Sequence, residues 1–193
     1  RKKAPDDFYE QIPLLKDFLK TLGWPLFETD GYEADDILGT LALQANKLGV
    51  EANLITSDLD MLQLIDQNTK VFAMKRGFSE IEEFDLEYFE EKYGLKQSQF
   101  LDLKALQGDS SDNIPGVPGI GPKTATQLLQ EFFTLEGIYE NLDKIKPSWR
   151  KKLEDGKESA FMSKEIARIF LDAPVEIDFN AADIHNFNYE EVL

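Results

Sequence analysis

The stretch NLITSDLDMLQLIDQNTKVFAM, residues 53–74, decides the fold class. Residues 53–56 read as a short apolar strand, 59–65 as a short helix and 71–74 as a second strand. Working back from it, Asp30 with Glu33 reads as an acidic capping box. That box opens a helix with Ile37, Leu38, Leu41, Ala45 and Leu48 on one face, closed by Gly49. Residues 24–27 read as a further strand, and Ile12, Leu15, Phe18, Leu19 and Leu22 as a helix ending at Gly23. Strand, helix, strand, helix, strand is the signature of a parallel α/β sheet. In such sheets ligands bind beyond the carboxyl ends of the strands.

Working forward, the β signal fades after Glu80. Helices are expected at residues 85–93, 97–106, 122–133, 135–141, 148–155 and 159–171. The chain therefore divides into an α/β half over residues 1–80, a helical half over 81–180 and a tail or linker over 181–193.

With 193 residues and 42% hydrophobic content, one domain, or one domain with a helical appendage, can fill a core. There is no cysteine and a single histidine, His185, which excludes disulfides, thiolate sites and His-rich zinc sites. Any metal must be held by oxygen, which suits Mg²⁺ or Mn²⁺. No run of 18 apolar residues predicts a membrane span, and no signal-peptide pattern is present. The net charge of −16 argues against nucleic acid for the chain as a whole. Exposed charges are screened beyond roughly 8–10 Å, however, so local balance matters more. Residues 144–164 carry seven Lys/Arg against three Asp/Glu, and Arg1, Lys2 and Lys3 form a second basic point. Beginning without Met and ending on an acidic-apolar pattern, the chain reads as a fragment of a longer protein.

Three acidic clusters stand out: Glu33, Asp35 and Asp36; Asp58 and Asp60; Asp109 and Asp112. Singly, each reads as charge on a helix dipole or as a cap. Jointly, the first two fall where adjacent strands end, and like charges packed there need cations. Two divalent ions about 3.5–4 Å apart would neutralise them and clamp a phosphodiester for in-line attack by water. One late histidine leaves no Ser-His-Asp arrangement.

Residues 114–125, IPGVPGIGPKTA, form a glycine-rich loop between two helices. It follows no strand and lacks an adjacent Gly-Lys-Ser/Thr, so it fits neither the dinucleotide fingerprint nor the P-loop. Pro122 is favoured at a helix start. Outward amides of Gly119, Gly121 and Lys123, with the side chains of Lys123 and Thr124, are placed to grip a DNA phosphate. The plainer alternative is a tight helix–helix turn. Basic residues Lys144, Lys146, Arg150, Lys151 and Lys152 lie just beyond it.

The segments GYEADD (31–36), TSDLD (56–60) and LQGDSSDNIPGVPGIGPKTA (106–125) resemble the 5′-nuclease family joined to bacterial DNA polymerase I, which is related to flap endonucleases. The resemblance implies a PIN-like 5′-nuclease core and a 5′→3′ exonuclease that removes flaps and RNA primers with two divalent ions. It places Glu33, Asp35 and Asp36 around one ion, and Asp58, Asp60 and Asp109 or Asp112 around the other. It makes residues Gly116, Val117, Gly119, Ile120, Gly121, Lys123 and Thr124 part of a helix–three-turn–helix on duplex DNA. It also implies K⁺ at the carbonyls of Val117 and Ile120. The implied partners are duplex DNA with a 5′ flap or 5′ end, an RNA primer in duplex, and a covalently following polymerase domain. The implied location is the bacterial cytoplasm, at the nucleoid. The family's first metal-ligand strands and basic arch are not in this sequence, so part of the active site is expected to be missing. Two rivals are a non-catalytic DNA-binding module and an Asp-x-Asp phosphatase at Asp58 and Asp60. The latter lacks the usual hydroxyl two positions on, where Leu62 stands.

Overall fold

The computed structural model describes residues 4–77 and 79–183. The basic point at residues 1–3, His185 and most of the expected tail lie outside these residues. The chain forms two compact units, residues 1–44 with 171–193, and residues 45–170.

In the first unit, α1 (Asp6–Thr21) starts earlier than the apolar spacing suggests, because Pro5 precedes Asp6 and Asp7 in a dipole-favoured first turn. It ends as a Schellman motif: Gly23 at φ 77° lets its N–H reach Lys20 O and that of Trp24 reach Leu19 O, both at 2.9 Å. The Trp24 amide is thereby committed to the helix end, and residues 24–27 form no strand, contrary to expectation. None of the α1 residues is buried. The second helix is α2 (Ala34–Lys47), whose residues to Gln44 belong here. Residues 173–177 are strapped along it. Thr40 Oγ1 accepts from the Ala173 N–H at 3.1 Å, and Gln44 bonds the Val175 carbonyl at 2.6 Å and the Ile177 N–H at 3.2 Å.

The second unit holds a three-stranded sheet of order β1 (Ala52–Thr56), β2 (Thr69–Met74), β3 (Ile81–Phe84). β1 and β2 pair in parallel from Ala52↔Thr69 to Thr56↔Ala73, as the crossover pattern requires. The crossover is a 3₁₀ helix, Leu59–Leu64, with Met61 and Leu62 buried beneath it. The third strand was not legible in the sequence and pairs antiparallel, Val71↔Phe84 to Met74↔Ile81, so the sheet is mixed. Its acidic residues hide it. Glu83 pairs with Lys70 at 2.7 Å, and Glu82 with Lys75 at 2.8 Å and Lys92 at 2.6 Å, on a charged edge that resists further pairing.

The helices follow: α3 (Leu86–Tyr93), α4 (Phe100–Gln107), α5 (Pro122–Phe132), α6 (Leu135–Glu140), α7 (Pro147–Asp155) and α8 (Lys157–Ile166). Asp85 caps α3 by accepting from the Tyr88 N–H at 2.8 Å. α8 ends sooner than expected, where the Gln63 side chain takes the Ala167 carbonyl at 2.7 Å. The core is Met61, Leu62, Val71, Phe84, Phe89, Leu106, Leu128, Leu129, Ile138 and Leu153. Phe89 stacks on Tyr93 at 4.6 Å and meets Phe100 edge-on at 5.5 Å.

Candidate functional site

Glu33, Asp35 and Asp36 stand at the start of α2, in the first unit. The capping carboxylate lies three residues beyond the expected one, at Asp36 rather than Glu33. Asp36, nearly buried, accepts from the Glu33 N–H at 3.1 Å, because α2 begins at Ala34 rather than directly after Asp30.

Asp58, Asp60, Asp109 and Asp112 belong to the second unit. Asp58 follows β1 and caps the 3₁₀ helix, its Oδ1 accepting from the Asp60 N–H at 2.9 Å. Asp109 opens a tight loop closed by reciprocal 2.8 Å bonds between its own backbone and Ile114. One carboxylate oxygen of Asp109 accepts from the Ser111 N–H at 2.8 Å and from its hydroxyl. Asn113 takes the left-handed conformation, φ 58°, that asparagine tolerates. An open recess of about 570 Å³ is lined by Gln107, Gly108, Asp109, Ser110 and Asn113.

What joins two of the clusters is a lysine that the sequence reading did not single out. Lys104, on α4 and 5% exposed, ion-pairs with Asp60 and lies 2.7 Å from Asp109 Oδ2. Burial pushes the Asp60 carboxyl up against the pull of Lys104. The Asp109 carboxyl is held well below the usual range by Lys104 and Ser111. Burial disfavours the Lys104 ammonium, yet its bonds to Asp109 and Asp60 outweigh that and raise its pKa. The signal was available in FLDLKALQ, where Asp102 and Lys104 interrupt an apolar helix. Buried ions of that kind require partners. Asp102 finds the Leu135 N–H at 2.9 Å and Lys164 at 2.7 Å.

Among the described residues no three Asp, Glu or His side chains converge closely enough to hold a metal ion. The donors brought together, Asp60 and Asp109, are hard carboxylates around one positive charge. Mg²⁺ is commonly held by one or two carboxylates with water, so this pair fits such an ion in kind.

The glycine loop leaves α4 with Gly108 and turns back at once. The Val117 N–H donates to Leu106 O at 2.8 Å, and the Ile120 N–H to Val117 O at 2.9 Å. Val117 and Ile120 are buried, while Gly119, Gly121 and Lys123 are exposed and Thr124 is half-buried. Gly121 precedes α5 and Pro122 is its first residue, as expected. Among the described residues, the N–H groups of Gly119, Gly121 and Lys123 have no acceptor. The Gly119 carbonyl accepts from Lys152 Nζ at 2.9 Å.

Compared with known proteins, residues 1–94 match the family described as 5′-3′ exonuclease, N-terminal resolvase-like domain. Residues 95–190 match 5′-3′ exonuclease, C-terminal SAM fold.

The chain belongs to the 5′-3′ exonuclease family.

Similar full-length proteins include DNA polymerase I of Lactococcus lactis subsp. lactis (strain IL1403), 49% identical over 92% of this chain and 20% of that protein. DNA polymerase I of Bacillus subtilis (strain 168) is 42% identical over 100% of this chain and 22% of its own length. The chain thus spans about a fifth of the length of the curated relatives it matches. A solved structure of bacteriophage T5 5′-exonuclease with bound divalent zinc superposes with a TM-score of 0.71 at 28% identity, over 86% of this chain and 62% of that one. The bacteriophage T5 flap endonuclease in a complex with DNA and metal ions gives 0.74 at 27%, over 84% and 58%. The fold is therefore that of the family, with the mixed sheet described above.

Proposed function

We propose that this 5′-3′ exonuclease-family chain acts on DNA carrying a 5′ end or 5′ flap, as part of a protein that hydrolyses phosphodiesters with two divalent ions, Mg²⁺ or Mn²⁺. One observation carries the reading. Asp60 and Asp109, distant in the chain, meet around the buried ammonium of Lys104. Two carboxylates share one ammonium there, which leaves a net negative charge that a divalent ion would offset. On this reading Asp58 and Asp60, with Asp109 or Asp112, would serve one ion, and Glu33, Asp35 and Asp36 the other. Bound there, divalent ions would polarise the scissile phosphate and offset its developing charge. The chain's own residues orient that centre. Asp58 fixes the Asp60 backbone, Ser111 fixes the Asp109 carboxylate, and Lys104 bonds both acids.

The exposed amides of Gly119, Gly121 and Lys123, with the side chains of Lys123 and Thr124, hold the duplex backbone. Gly116, Val117 and Ile120 shape the turn, and the carbonyls of Val117 and Ile120 are the groups that would hold a K⁺ there. Lys152 adds charge beside Gly119. On this reading residues 1–80 are the end of the nuclease core, 81–180 the DNA-binding subdomain and 181–193 the link toward a polymerase. An RNA primer in duplex is a further substrate, and the bacterial cytoplasm is the place of action.

A second reading, duplex binding without cleavage by this chain alone, is favoured by the lack of any three converging acids among the described residues. The deciding experiment is a labelled 5′-flap cleavage assay in Mg²⁺, run on this chain and on a full-length polymerase carrying it, with Mn²⁺ calorimetry in parallel. Asp60→Asn and Asp109→Asn should abolish cleavage by the longer protein and weaken Mn²⁺ binding. Unchanged cleavage in both variants would sink the proposal.

A further inference from the structure

The glycine turn is gripped from behind by residues with no assigned role. α8 packs against α4, and its buried face there includes the small residues Ala160 and Ser163. Ser163, fully buried, accepts from the Gly116 N–H at 3.0 Å. One helical turn earlier, the Ser159 hydroxyl donates to the Gly116 carbonyl at 2.6 Å. Two hydroxyls at i, i+4 spacing, hence on one helix face, thus hold both polar groups of a single residue. A serine hydroxyl buried in a helix interface is costly unless it is paired, and Gly116 supplies the pairing.

On its other side Gly116 lies directly against Gly108. A Cβ at Gly116 would stand 2.3 Å from Gly108 N, and one at Gly108 would stand 2.7 Å from Ile114 O. Gly108 immediately precedes Asp109. Ser159 and Ser163 reach Gly116 through short hydroxyls, and from Gly116 to Gly108 and on to Asp109 the path is backbone against backbone, without a long side chain to absorb movement. At the far end of the turn, Lys152 braces the Gly119 carbonyl and lies against Gly119 closely enough that a Cβ there would meet its Nζ at 3.0 Å.

We propose that Ser159 and Ser163 are positioning residues that couple the DNA-gripping turn to the Asp109 carboxylate loop. Duplex binding at the turn and divalent-ion binding at the acids then favour each other. The coupling rests on the reading of the turn as a DNA site and of Asp109 as an ion ligand. By linkage it is reciprocal, so either direction measures it.

The test titrates a labelled 5′-flap duplex against the full chain, once in Ca²⁺ and once in EDTA. The ratio of the two Kd values is the coupling factor, which should exceed one for the unaltered chain. Ser159→Ala and Ser163→Ala should each raise Kd by roughly three- to tenfold, as loss of one hydrogen bond would, and move the ratio toward one. Ser159→Thr, which keeps the hydroxyl, should restore both. Lys123→Ala should raise Kd and leave the ratio alone. Ser159 is only half-buried, so its variant carries the test if Ser163→Ala unfolds. Weaker binding at an unchanged ratio would mean a purely structural role and overturn the proposal. A ratio of one in the unaltered chain, with Lys123→Ala still weakening binding, would overturn it and leave the DNA reading standing. Failure of the unaltered chain to bind duplex at all would remove both.

Discussion

Lys104 Nζ lies 2.7 Å from Asp109 Oδ2, only five residues along the chain, and grips Asp60 as well. Asp60 is forty-four residues away in sequence. A single helical lysine thus sets the spacing of the two acids that the proposed chemistry depends on.

Replacing Lys104 with Met should leave two carboxylates facing each other without a counter-charge. Breaking a buried ion pair from one side typically costs about 3–5 kcal/mol. Urea denaturation should show a loss near the lower end of that range, because Asp109 is partly open to water. Millimolar Mn²⁺ should recover part of it by replacing the missing cation. Recovery that is absent, or that persists in a Lys104→Met, Asp109→Asn double variant, would argue against an ion site there.

The turn separates packing from recognition. Gly116 sits at φ 62° with no room for a Cβ, so Gly116→Ala should destabilise by about 2 kcal/mol or more. Gly121 has extended φ and open space around it. Gly121→Val should therefore melt within a degree or two of the unaltered chain while binding duplex more weakly, since a branched side chain blocks close approach of the backbone. Calorimetric melting and a duplex titration together check both halves.

Lys123 is exposed at the start of α5. If it makes one phosphate contact, Lys123→Ala should reduce the slope of log affinity against log salt by about one unit. An unchanged slope would place the contact elsewhere.

Acid stability should carry the signature of Glu82. Bonds from Lys75, Lys92 and Tyr88 lower its pKa from the usual 4.5 to about 2. A carboxyl depressed on folding contributes stability that is fully present above the unfolded value and lost as pH falls through the folded one. The window is therefore between about 4.5 and 2. Glu82→Gln should cost on the order of 1–2 kcal/mol at pH 6, after allowance for solvent screening. That gap should close as pH approaches 2. Unfolding free energies at several pH values would show the two curves converging, and parallel curves would rule the account out.

Sequence alone determined the features that depend on neighbours a few residues apart. Gly23 and Gly49 end helices because only a residue tolerant of positive φ lets the following amides reach back, as they do in the structure. Pro122 starts α5 because its missing N–H would have had no helical partner. The absence of cysteine and the single histidine exclude thiolate and His-rich metal sites within this chain. Tertiary structure decided what depends on partners distant in the chain. Residues 24–27 are apolar enough for a strand, but a strand needs a ladder, and the Trp24 amide went to α1. Residues 81–84 look too acidic for one, yet Lys70, Lys75 and Lys92 neutralise their glutamates. Lys104 and Ser163 look unremarkable in sequence because their partners, Asp60 and Gly116, are 44 and 47 positions away. Burial makes such pairings strong, and burial exists only after the chain has folded.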